Sequence, residues 1–94
     1  MVSDFVFSAM IKYSRSDRVY DVTFPDLPGC VTFGNTLDEA KRMAAEALSG
    51  YLASIFERNV RMPKPSKPKG KNVHLIRPET PVPAALSIRY KAAR

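Results

Sequence analysis

At Thr36 the spacing of apolar residues along the chain changes, and that change constrains the architecture more than any other feature. Upstream, apolar residues tend to recur at every second position. Downstream, Leu37, Ala40, Ala44, Ala47, Leu48, Tyr51, Leu52 and Ile55 recur every three or four residues, while Asp38, Lys41, Arg42, Glu46 and Ser49 fall on or near the other side. The first repeat belongs to strands and the second to one face of a helix. Thr36 and Glu39 have the spacing of a capping box, in which the hydroxyl accepts from an orphan amide and the carboxylate reaches back to the cap, so the helix is predicted to begin at Leu37. Gly50 costs about 1 kcal/mol relative to alanine inside a helix. With the alanines of the stripe it reads as a device for close packing on a sheet.

Phe5, Phe7, Ala9, Ile11 and Tyr13 share one face of a strand over residues 5–13, opposite Val6, Ser8, Met10 and Lys12. Turn formers at 14–17 lead into a second alternating run, with Tyr20, Val22 and Phe24 on its apolar face. The sequence PDLPG at 25–29 ends that strand, because Pro25 and Pro28 lack ladder donors and Gly29 permits an unusual φ; a short strand, CVTF, follows. After the helix, residues 58–70 hold three prolines among lysines and predict an extended connector. Residues 72–77, NVHLIR, predict a fourth strand, parallel through a right-handed crossover if it shares the sheet with the strand before the helix. The expected fold is therefore α+β, in the order βββαβ, with one long helix packed on a small mixed sheet. Beyond Pro83 the periodicity fits a strand or a short helix equally.

Ninety-four residues are enough for one modest core, and small domains often gain stability by associating. The organisation expected is a folded unit over 1–78, including the connector, and a short segment over 79–94 too small for a complete DNA-binding domain. A single cysteine, Cys30, excludes an intrachain disulfide. The amino-terminal run lacks a signal-peptide pattern and no stretch approaches membrane-spanning length, so a cytoplasmic location without membrane contact is expected. The net charge of +6 is unevenly spread. Residues 1–57 carry five cations against eight acids, net −3, whereas 58–77 carry seven cations and no acid.

The stretch YDVTFPDLPGCVTFGNTLDEAKRMAAEALSGYL resembles the HicB antitoxin family: a strand running into P-D-L-P-G-C, a short strand, G-N-T and an alanine-rich amphipathic helix. The resemblance continues more loosely through MPKPS at 62–66, where such proteins carry a proline-rich connector. It implies a partial ribonuclease H-like fold. It also implies an antitoxin that binds and covers a HicA-type, mRNA-cleaving ribonuclease, has no catalysis or cofactor of its own, and forms a homo-oligomer such as a dimer or tetramer. Family members often continue into a DNA-binding module, for which residues 79–94 are too few.

Candidate partner contacts are Asp21, the loop residues Asp26, Leu27 and Pro28, and the helix-start acids Asp38 and Glu39. Turn chemistry accounts for the loop residues and the helix dipole for the acids, so each has a structural reason as well. A nuclease would need several carboxylates converging on divalent metals about 4 Å apart. Asp21 and Asp26 are the nearest pair and no convincing third acid accompanies them, so no metal site is expected. His74 and Cys30 would need spatial adjacency to act as a nucleophile pair. A second reading uses Arg61, Lys64, Lys67, Lys69 and Lys71 on nucleic-acid phosphates; with no aromatic residue between Met62 and Lys71 for base stacking, such binding would be weak and nonspecific.

Overall fold

The computed structural model describes residues 6–80. Strand β1 (Phe7–Ser14), β2 (Val19–Thr23) and β3 (Val31–Gly34) form a meander, the helix α1 spans Leu37–Arg58, and β4 (Val73–Ile76) follows the connector. Phe5 and the segment beyond Pro83, on which two of the sequence expectations fell, lie outside the described residues.

The strand order is β3-β2-β1-β4 and every neighbouring pair is antiparallel. The α+β class and the βββαβ order hold, but the sheet is not mixed: β4 pairs antiparallel with β1, Phe7 opposite Ile76 and Met10 opposite Val73. The expected parallel crossover assumed that the chain enters β4 where the helix leaves the sheet. The 22-residue helix is about 33 Å long, whereas the extended connector over residues 59–72 can reach up to about 46 Å. The connector is thus long enough to carry the chain back before it turns into the sheet.

Alternation sorts the sheet into two unlike faces. Phe7, Ala9, Ile11, Val22 and Phe24 point inward and are buried with Ala40, Ala44, Leu48, Leu52 and Ile55 of α1. The buried helix positions recur at intervals of four, four, four and three, one stripe of the amphipathic pattern. Gly50 is not on that stripe. It is exposed, and a Cβ placed on it would meet nothing within 4 Å. Close approach is achieved by Ala40, Ala44 and Gly34: a Cβ on Gly34 would overlap the backbone of Ala40, lying 2.7 Å from its Cα and closer still to its nitrogen.

Both ends of α1 carry the expected chemistry with one difference. Thr36 caps the start, its Oγ1 accepting from the Glu39 N–H at 3.0 Å. Glu39 Oε1 accepts from the Asn35 N–H at 2.6 Å, one residue before the cap itself. At the other end Asn59 takes a left-handed conformation (φ 51°), and the N–H groups of Asn59 and Val60 return to the carbonyls of the last turn.

A candidate partner-binding surface

The PDLPG loop is built from two successive turns. The Leu27 N–H donates to the Phe24 carbonyl and the Cys30 N–H to the Leu27 carbonyl, both at 3.0 Å. In the second turn Pro28 supplies a preset φ and Gly29, at φ +84°, the positive φ that the following position requires. The Tyr51 hydroxyl on α1 donates to the Pro28 carbonyl at 3.2 Å and ties the loop to the helix.

This geometry changes the standing of the loop residues. Leu27 is fully buried, so it is part of the core and presents no apolar rim to a partner; of the three candidates Asp26, Leu27 and Pro28, Pro28 alone is exposed. Both oxygens of Asp26 are engaged, accepting at 2.7 Å from the N–H and at 2.7 Å from the hydroxyl of Ser66. Ser66 lies 40 residues away, within MPKPS. The two motifs that carried the family resemblance therefore meet, and the carboxylate of one fastens the connector that contains the other. Met62 is buried and the three connector prolines are half-buried. Sequence reasoning missed this role of Ser66, because nothing local links a serine in a linker to an acid in a distant turn.

The remaining acids do not converge. Asp21 is exposed on the outer face of the sheet, between Lys12 and Phe33 in register. Asp38 is exposed at the helix start, at the opposite end of β3 from the PDLPG loop. Beside it Glu39 serves Asn35 and approaches Arg42 at 3.7 Å. Among the described residues, no three His, Cys, Asp or Glu side chains gather as a metal site. Cys30, at the start of β3, is buried; burial pushes its thiol up to about 11, so it is a neutral thiol at physiological pH, within 3.8 Å of the Ala47 carbonyl. His74 sits on β4 at the other edge of the sheet, three strand spacings or about 14 Å away. The two cannot act as a nucleophile pair.

The cations of the second reading are all outward. Arg61, Lys64, Lys67, Lys69 and Lys71 are exposed along a connector held down by Met62 and by the Asp26 to Ser66 bonds. The connector is thus a fixed cationic ridge over much of its length.

A second exposed feature was not anticipated. α1 covers one face of the sheet, and the opposite face carries Val31, Phe33 and Leu75, which are 63%, 57% and 73% exposed. A shallow trough on it is lined by Asp21, Thr23, Val31 and Phe33. The signal was present in CVTFG. Cys30, Thr32 and Gly34 alternate toward the helix, so the two largest apolar residues of this strand point away from it.

Residues 7–74 match the sequence model of a family described as the HicB-like antitoxin of bacterial toxin-antitoxin systems. The chain is 44% identical over 46 residues to antitoxin HicB 1 of Photorhabdus laumondii, which covers 49% of this chain and 30% of that protein. Over 45 residues it is 42% identical to an uncharacterized 14.9 kDa protein of Haemophilus phage HP1, covering 48% and 34% of the two chains. The alignments thus span about a third of the length of these curated relatives. Among solved structures, a toxin-antitoxin complex from Streptococcus pneumoniae superposes with a TM-score of 0.63 at 30% identity, covering 67% of this chain and 45% of that one. The N-terminal domain of Burkholderia pseudomallei antitoxin HicB superposes with a TM-score of 0.65 over 81% of this chain and all of that domain; at 22% identity this likeness concerns the fold.

Proposed function

The chain belongs to the HicB-like antitoxin family, and on that footing we propose that it binds a cognate HicA-type ribonuclease toxin and inhibits it by steric occlusion, with no catalysis of its own. The observation that carries this reading is the extent of the family match, which runs from the first residue of β1 through β2, β3 and the helix into the first half of β4. The charge distribution supports it, since the acidic part of the chain, residues 1–57, suits a basic partner. Asp21, Pro28 and Asp38 are the exposed contact candidates. Asp26 and Glu39 contribute chiefly by holding the connector and the helix start in place.

Co-expression with the product of the neighbouring reading frame, which this reading expects to be a small basic protein of toxin size, tests the proposal. The expected outcome is restored growth and co-purification of the two chains. A purified chain that cleaves RNA with Mg²⁺ or Mn²⁺, and loses that activity in Asp21→Asn, would replace the antitoxin reading with a nuclease.

One observation favours a second role, as a weak binder of nucleic acid. The connector lysines stand on a backbone that is already ordered by Met62 and Ser66, which lowers the entropy cost of aligning them with phosphates. If the five cations from Arg61 to Lys71 all contact duplex phosphates, log affinity should fall with log salt at a slope of about −4.5, without sequence preference. A slope near zero in a filter-binding titration excludes this use of the connector.

A further inference from the structure

The hydrogen-bond alternation of the sheet fixes which backbone groups face its edges. Continuing the β2 to β3 register pairs Phe24 with Cys30, and the Phe24 N–H donates to the Cys30 carbonyl at 3.3 Å. Bonded and non-bonded pairs alternate in an antiparallel ladder. Val22 with Thr32 and Tyr20 with Gly34 are therefore the bonded pairs, while Val31 and Phe33 turn their N–H and C=O groups away from β2, toward an edge that no other strand among the described residues covers. The same counting from the Ile11 N–H, which donates to the Asn72 carbonyl at 2.9 Å, leaves Val73 and Leu75 facing the open edge of β4.

Open edges invite a further strand, and natural sheets blunt them with charge, proline or a bulge. The two edges differ in this respect. β4 is bracketed by Lys71 and Arg77. Pairing it with its own copy about His74 would set Lys71 opposite Arg77 of the second copy, like charges face to face. β3 has no such guard: residues 30–35 contain no charged side chain and no proline, and its two outward residues are apolar and more than half exposed.

We propose that β3 pairs antiparallel with β3 of a second copy of this chain, about a two-fold axis at Thr32, joining the two four-stranded sheets into one. In that register Val31 lies opposite Phe33 of the second copy, and Phe33 opposite its Val31. These are the residues whose backbone groups point outward on both sides, so four new backbone bonds form and none of the existing ladder is disturbed. A slip of one residue would oppose outward groups with inward ones and make none. The same contact brings both valines and both phenylalanines together on the open face, so the apolar patch is self-complementary, as an isologous interface requires. The inference goes beyond the antitoxin reading and does not depend on it.

Sedimentation equilibrium of the full chain alone tests the pairing. Wild type should assemble, and V31K/F33K, which sets lysine against lysine, should keep its circular dichroism spectrum and sediment at half the wild-type mass. V31K/F33E places each lysine opposite a glutamate of the second copy and should return the mass to that of wild type. Val31→Pro removes only an outward donor, so it too should halve the mass even if the double variants fold poorly. Amide exchange at Val31 and Phe33 should be slow in wild type and fast in V31K/F33K. A monomeric wild type, or an assembly left intact in the folded V31K/F33K variant, overturns the proposal. So does a monomer whose V31K/F33K variant loses a co-expressed toxin, because the edge would then take that partner's strand. Failure to find a toxin leaves these masses unaffected, which keeps this test separate from that of the proposed function.

Discussion

Single residues here do work that their neighbours in sequence do not reveal. Asp26 sits in a turn that any small polar residue could occupy, yet both of its oxygens hold Ser66. Hydrogen bonds to a charged group contribute about 1.5–3 kcal/mol when shielded; the exposure of Ser66 brings the expected value for Asp26→Ala down to about 1 kcal/mol. Ser66→Ala should cost less, since it removes the hydroxyl bond and leaves the amide donor. Because the two residues share one interaction, the double variant should lose little more than Asp26→Ala alone. Urea denaturation of the four proteins measures this directly, and strictly additive losses would mean that the carboxylate acts elsewhere.

The elements meet through small residues, and Gly34 within this contact and Gly50 outside it make opposite predictions. Gly34 ends β3 against the Ala40 backbone, so Gly34→Ala must push strand and helix apart; overpacking of this kind costs about 1–3 kcal/mol. Gly50 is exposed in mid-helix with open space where a Cβ would stand, so Gly50→Ala should stabilise the protein by about 1 kcal/mol. Thermal melts of the two variants should therefore move in opposite directions. A loss of stability in Gly50→Ala would show that this flank of α1 is covered in solution. The connector matters at the same scale: fastened at Met62 and Ser66, it delivers β4 to the sheet in the antiparallel sense.

For the whole molecule, residues 1–57 carry a net charge of −3 and residues 58–77 one of +7, a split that should govern encounters with a charged partner. An acidic surface accelerates association with a cationic toxin through long-range attraction, which weakens as the screening length shortens to about 8 Å near physiological salt. Replacing Asp38→Asn and Glu39→Gln together keeps side-chain size and leaves Thr36 as the cap, although the loss of favourable charge at the helix start can cost up to about 1 kcal/mol. If these acids face the toxin, stopped-flow measurements should show slower association, with a shallower salt dependence than wild type. Unchanged kinetics with a lower melting temperature would assign Asp38 and Glu39 to the helix alone.

What the chain determines by itself is local: the phase of alternation in β1 and β2, the turns that Pro28 and Gly29 impose, and the helix start at Leu37 set by Thr36. The phase of each buried stripe and the chemistry of each cap act over a few residues, so they can be read without knowing the fold. The bond between Asp26 and Ser66, the burial of Leu27 and the exposure of Gly50 depend on which surfaces are brought together, and no periodicity encodes that. The direction of β4 belongs with them, because a proline-rich connector longer than the helix it follows leaves both orientations within reach until its anchoring points choose one. Phe33 shows both halves: the alternation in CVTFG already sets it on the face opposite Cys30 and Gly34, but only the packing of α1 on their face decides that Phe33 faces outward.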